Sequence, residues 1–279
     1  MTFIVNAFAQ IWPWLILMAA LAAGWSGGRR ASLILLALAA AGAWLTGHLA
    51  LPGLVLLGSS LAAAALLPRL TGPAAIAGHA ALILGCLTLG LHLVPGVHNL
   101  LILDQAASGP GSAPYSLHLN LDKPLVFFAL LLAWPMLLKD RASAGRPAIL
   151  GAVALLAALF PLALAAGALR LEPSLPEWAL LWILSNLLLT CLAEEAFFRG
   201  YIQQGLTRRF GAVAGIAAAS LLFGLAHIGA GPAVAVFATL LGLACGLGYW
   251  GSGRFRVPVL MHFGFNLTHL LLFTYPGPV

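Results

Sequence analysis

Charge is what this sequence has least of: only 7% of its 279 residues are Asp, Glu, Lys or Arg, against about 25% in an ordinary soluble domain. A water-facing surface cannot be assembled from so few ionisable groups around 62% hydrophobic residues, so a soluble globular fold is excluded. In-out alternation over segments of about ten residues, which an outer-membrane barrel requires, is also missing. The run Leu33 to Ala43 has none of it. Three cysteines, Cys86, Cys191 and Cys245, all lie in apolar segments, which gives neither a disulfide framework nor paired metal-ligand spacing; they read as small packing residues. The net charge of +6 is scattered in small groups between apolar runs rather than gathered into a patch, so nucleic acid is not an expected partner. No basic stretch precedes the first apolar run, and Arg29 and Arg30 follow it, the pattern of a retained span rather than a cleaved signal peptide.

What is present is a succession of apolar runs. A hydrocarbon core of about 30 Å is crossed by about 20 helical residues, and runs of that order recur near 10–26, 31–46, 50–67, 73–94, 124–138, 148–169, 178–207, 211–228, 232–250 and 257–274. The expected architecture is an all-α membrane protein, a polytopic transmembrane helical bundle of about ten helices with membrane lipid as its surroundings. Basic residues follow the odd-numbered spans: Arg29 and Arg30, Arg69, Lys139 with Arg141 and Arg146, Arg208 and Arg209, Arg254 and Arg256. Under the positive-inside rule those loops are cytoplasmic and both termini lie outside, in a bacterial-type inner membrane. The longest polar stretch, Gly96 to Lys123 with Gly-Pro-Gly-Ser at 109–112, reads as a partly ordered outer loop. It divides an amino-terminal part, 1–122, of no readable role from a carboxy-terminal core, 123–279, that carries the chemistry. Gly242 and Gly246 form a small-xxx-small face for close helix packing. Trp12, Trp14 and Trp178 suit an aromatic belt, and His48, His79, His92, His98, His118 and His269 read as interfacial or packing residues.

An ionisable group at the centre of a membrane helix costs about 2.5–3.5 kcal/mol on insertion scales, so such groups mark function and face the bundle interior. The segment Cys191-Leu-Ala-Glu194-Glu195-Ala-Phe-Phe-Arg199-Gly200 places two adjacent carboxylates in an apolar helix. Glu195 and Arg199 share a face at i and i+4 and are expected to pair. Glu194 points about 100° away, as a helix of 3.6 residues per turn requires, and has no cation at i±3 or i±4. It is the better general base. Phe223-Gly-Leu-Ala-His227 sets a histidine, the natural partner of a water-activating carboxylate, one turn after an aromatic. His262-Phe-Gly-Phe-Asn266 sets two hydrogen-bond donors for a developing oxyanion on one face. Singly, each histidine has a bland reading as a packed residue, and the glutamates could merely tie helices together.

Taken together, EExxxR, FxxxH and HxxxN in successive apolar helices resemble the CPBP (CAAX protease and bacteriocin-processing) family of glutamic intramembrane endopeptidases, relatives of the eukaryotic CAAX prenyl endopeptidase. Glu194, Glu195 and Arg199 fit the first motif, Phe223 and His227 the second, His262 and Asn266 the third. The resemblance spans roughly residues 120–274. It implies that Glu194 with His227 activates a water, that His262 and Asn266 stabilise the oxyanion, and that Glu195 and Arg199 hold the site together. The implied substrate is a membrane-anchored peptide or protein: a leader, a prenylated tail or a carboxy-terminal sorting tail. No cofactor is expected; a zinc ion on Glu194, His227 and His262 is the less favoured alternative, and the chain has no HExxH.

Other intramembrane proteases fit poorly. Gly58-Ser59-Ser60 and Gly251-Ser252-Gly253 lack the Gly-x-Ser-Gly of a serine site, and Asp104, Asp122 and Asp140 fall in loops or at helix ends, so no aspartate pair forms. Nothing marks Cys191 as a nucleophile. Outside proteolysis, the alternatives are a peptide-binding or immunity protein using the pocket without chemistry, and a proton-coupled carrier, which the lack of an internal repeat disfavours.

Overall fold

In hydrocarbon every backbone N–H and C=O has to be satisfied within its own segment, so Leu- and Ala-rich runs become helices. The computed structural model describes residues 2–279, with side chains from Ala9 onward. Among the described residues it is 70% helical, with ten helices and almost no sheet. In chain order these are α1 (Thr2–Trp25), α2 (Arg29–Leu45), α3 (Leu51–Leu66), α4 (Gly72–Gly90), a hairpin of β1 (Leu100–Ala106) and β2 (Tyr115–Leu119), α5 (Leu125–Ala133), α6 (Arg146–Ala165), α7 (Ala179–Phe210), α8 (Ala212–Ala226), α9 (Pro232–Ser252) and α10 (Arg256–Leu272). Among the described residues five helical segments are long and apolar enough to cross a membrane: Leu51–Arg69, Gly72–Gly90, Arg146–Ala165, Ala179–Phe210 and Pro232–Ser252. The chain is an all-α membrane protein, as its composition requires.

The hairpin replaces the loop expected between Gly96 and Lys123. Its second strand, Tyr-Ser-Leu-His-Leu, alternates strictly: Leu117 and Leu119 are buried while His118 is exposed, the two-residue period of a half-covered strand.

Contacts divide the chain into two compact units. The first comprises Met1–Asp104, Ser116–Leu138 and Leu184–Glu194. Its centre is α5, every residue of which is buried. Helix α1 packs closely on α2: a Cβ on Gly42 would run into the Trp12 ring, and one on Gly24 would stand 2.6 Å from the Ser32 hydroxyl. Trp14, expected in the aromatic belt, is instead fully buried with its ring 4.9 Å from that of His48.

The second unit comprises Gln105–Tyr115, Lys139–Ile183 and Glu195–Val279. Phe160 of α6 stacks on Phe265 and Phe273 at 4.5 and 4.6 Å. Helices α7 and α8 are separated by Gly211 alone, whose φ of +85° is a conformation that L side chains resist. The Gly242–Gly246 face of α9 is used as expected. A Cβ on Gly242 would stand 3.1 Å from Arg199 Nη2 and 3.2 Å from Ser220 Cα, and one on Gly246 would stand 2.9 Å from Gln203 Oε1.

Candidate active site

Helix α7 carries the carboxylates, and it is not a regular α-helix. Asn186–Cys191 and Ala196–Gln203 are π-helical, flanking the α-helical turn Leu192–Glu195. The wider turn brings Asn186 and Cys191, five residues apart, to a 3.2 Å contact between Oδ1 and Sγ. π segments cost hydrogen-bond quality and concentrate at functional sites; here they bracket the two glutamates.

In the second unit, Glu195 and Arg199 are fully buried, and the Arg199 Nη1–H donates to Glu195 Oε1 at 3.0 Å. This is the i,i+4 pair that the spacing predicts. The same Oε1 faces His262 Nδ1 of α10 at 2.8 Å, so with Glu195 ionised the imidazole donates from Nδ1. Among the described residues, Glu195 Oε2 and Arg199 Nε and Nη2 have no hydrogen-bond partner.

Phe223 of α8, 1% exposed, is the hub. Arg199 Cζ lies over its ring at 4.6 Å, a cation–π distance. The His227 ring lies 4.6 Å away, that of His262 packs edge-on at 5.5 Å, and that of Phe198 at 5.0 Å. His227, the residue that ends α8, turns its Nδ1 to the Phe223 carbonyl at 2.8 Å. A carbonyl only accepts, so the proton sits on Nδ1 and Nε2 is the basic nitrogen of the neutral ring. One residue from each of the three motifs thus meets one phenyl ring. Asn266 sits half-buried on α10, one turn beyond His262.

Glu194 belongs to the first unit, where the cation that local spacing does not supply comes from far away in sequence: Lys123 Nζ donates to Glu194 Oε1 at 2.6 Å. Sequence reasoning missed Lys123, because nothing in spacing links a residue before α5 to one in α7. It missed Gln203 as well, a buried amide that donates to the Gly246 carbonyl at 3.0 Å, although its place one turn after Arg199 was a usable signal. Among the described residues no group of three or more His, Cys, Asp or Glu gathers to hold a metal ion.

Residues 176–268 match the family model for Rce1-like, the type II CAAX prenyl endopeptidase Rce1-like family. Neither a curated protein nor a solved structure matches the chain. The matched segment contains the whole of α7 to α9 and most of α10, with every motif residue from Glu194 to Asn266. Over that segment this integral membrane protein is similar to the Rce1-like family of type II CAAX prenyl endopeptidases.

Proposed function

We propose that the protein is a glutamate-dependent intramembrane endopeptidase that hydrolyses a peptide bond near a membrane-embedded or lipid-anchored segment of its substrate. The observation that carries this reading is the gathering of Arg199, His262 and His227 around the Phe223 ring. A buried cation, a buried carboxylate and two oriented imidazoles would be an expensive way to pack an apolar bundle.

In this reading Glu194 takes a proton from a water whose oxygen attacks the scissile carbonyl carbon, with His227 Nε2 as the second acceptor. The carbonyl π pair moves onto oxygen, where Asn266 donates from its amide and His262 from Nε2 when its ring is protonated. Collapse of the intermediate breaks the C–N bond, and the proton held by Glu194 goes to the leaving amine. Glu195 and Arg199 do no proton transfer; they fix the His262 ring through Nδ1. No metal takes part, membrane lipid surrounds the site, and residues 123–279 form the catalytic core. The placement in a bacterial-type inner membrane with both termini outside belongs to the same reading.

The test uses purified protein in liposomes with peptides carrying a prenyl group, an acyl group or a hydrophobic span. Glu194→Gln and His227→Ala should abolish cleavage of the accepted class while keeping helical content; full turnover by Glu194→Gln overturns the assigned base. Activity that chelators remove and zinc restores would overturn the metal-free step. If no class is cut, cross-linking with Glu194→Ala decides between a binding protein and an enzyme awaiting its substrate.

A further inference from the structure

Lys123 stands out because nothing in the motifs asks for it. It precedes α5, it is 71 residues from Glu194 in the chain, and its ammonium is nonetheless 2.6 Å from Glu194 Oε1. Both side chains are largely withdrawn from solvent, 19% and 12% exposed. A contact this close between long side chains is seldom left to the lysine alone, because holding its rotamers costs about 2 kcal/mol of entropy. The structure shows what holds it. Asp122, its neighbour, is 1% exposed and accepts through Oδ1 from the Lys123 backbone N–H at 2.9 Å, from Asn99 Nδ2 at 3.3 Å and from His92 Nδ1 at 2.8 Å. Asn99 in turn accepts the Leu121 N–H at 2.8 Å. Residues 121–123 are therefore clamped at three backbone or side-chain points, all within the first unit, and the clamp aims the ammonium at Glu194.

We infer that Lys123, held by the Asp122–Asn99–His92 clamp, is a positioning residue that keeps Glu194 ionised and oriented as the base of the peptidase reaction. The inference rests on the proposed role of Glu194. An opposite charge within hydrogen-bonding distance favours the ionised carboxylate, and a base has to be ionised before it can take a proton from water. In a poorly solvated site water cannot do this job, and the motif arginine is already committed to Glu195. The ammonium of Lys123 is the charge 2.6 Å from Glu194, and the next residue, Glu195, meets Arg199 and His262 through its own Oε1.

Two readouts test it. The first is the pH profile of kcat/KM for Lys123→Met, Lys123→Arg and Asp122→Asn in liposomes. Lys123→Met removes the charge opposite the carboxylate, so the acid limb of the activity profile should move upward by about one pH unit or more. It should also lose at least tenfold at the pH where that limb lies in the unmodified protein, and recover towards its plateau in alkali. Lys123→Arg should keep the original limb, and Asp122→Asn should fall between the two. A loss by Lys123→Met that is the same at every pH would reduce Lys123 to a structural tie and overturn the inference. The second readout needs no activity: the infrared carboxyl band that Glu194→Gln removes. It should report carboxylate in the unmodified protein and protonated acid in Lys123→Met at the same pH. An unchanged band in Lys123→Met overturns the inference even if the protein is a protease; a changed band in a protein that cuts no peptide sustains the hold of Lys123 on Glu194 and overturns the base role alone.

Discussion

The buried pair of Glu195 and Arg199 allows a magnitude to be worked out. Arg199→Met deletes the cation while keeping most of the side-chain volume. It leaves Glu195, with zero exposure, facing only His262. Breaking a buried ion pair from one side costs about 3–5 kcal/mol. The guanidinium makes one hydrogen bond to Glu195 and leaves Nε and Nη2 unpartnered, which argues for the lower end, about 3 kcal/mol. Loss of the contact with Phe223 adds up to about 2 kcal/mol, in part the same energy counted twice. At about 2–4 °C per kcal/mol for chains of this order, the midpoint should fall by about 10 °C. The assay is thermal unfolding in detergent micelles, followed by circular dichroism, for Arg199→Met, Glu195→Gln and the double variant. The pair is coupled, so the double variant should be more stable than the sum of the single losses predicts, by about 1–3 kcal/mol. A shift of about 2 °C or less for Arg199→Met, or strict additivity, would refute the reasoning from burial.

Three further outcomes follow from close approaches and clasps. A Cβ at Gly224 would lie 2.6 Å from the Ala235 carbonyl and run into Thr239 Oγ1; because the first is backbone, Gly224→Ala should cost about 1–3 kcal/mol or prevent folding, read as yield and midpoint in detergent. At Gly242 the nearest atom is the Arg199 guanidinium at 3.1 Å, so Gly242→Ala should shift the midpoint less but lower kcat more than Gly224→Ala does in its folded fraction. Glu172 accepts the Gly111 N–H at 2.7 Å and the Ser112 hydroxyl; Glu172→Ala strands that N–H at a cost of about 1–3 kcal/mol and should speed proteolytic nicking at 109–112, with active-site chemistry untouched.

The helices were legible in the sequence because membrane helices are encoded by composition alone: an apolar run of sufficient length has no other way to satisfy its backbone. The Glu195–Arg199 pair was legible because it is local, and a turn of helix is enough to place it. What stayed hidden is either non-local or backbone in origin. Lys123 reaches Glu194 from 71 residues away, and Asp122, set aside as a loop residue, is the buried acceptor that holds it. His92, read as an interfacial residue, is one of that carboxylate's partners. The two π stretches in α7 leave no mark in hydropathy, since an extra residue per turn changes neither length nor composition appreciably. The hairpin strand Tyr115–Leu119 had its alternation in plain view, but five residues are a weak signal beside runs four times as long.

Phe223 separates packing from positioning more sharply than any charged residue here. Its ring is buried and touches Arg199, His227, His262 and Phe198. Phe223→Ala should cost about 3–5 kcal/mol through the cavity alone, so a loss of activity there would say little. Phe223→Leu restores most of the volume at a cost below about 1.5 kcal/mol, and it leaves in place the Phe223 carbonyl that accepts from His227 Nδ1. What leucine cannot supply is a face for the guanidinium and an edge-on partner for the imidazole of His262, worth about 0.5–1.5 kcal/mol each. If the ring only fills space, Phe223→Leu regains both midpoint and cleavage. If it sets the angles of Arg199 and His262, the leucine variant regains only part of the midpoint that alanine loses, while kcat stays at least tenfold down with KM little changed. That second pattern is the one expected, because Phe223 touches a residue from each motif, and a liquid-like aliphatic group holds no ring at a fixed angle.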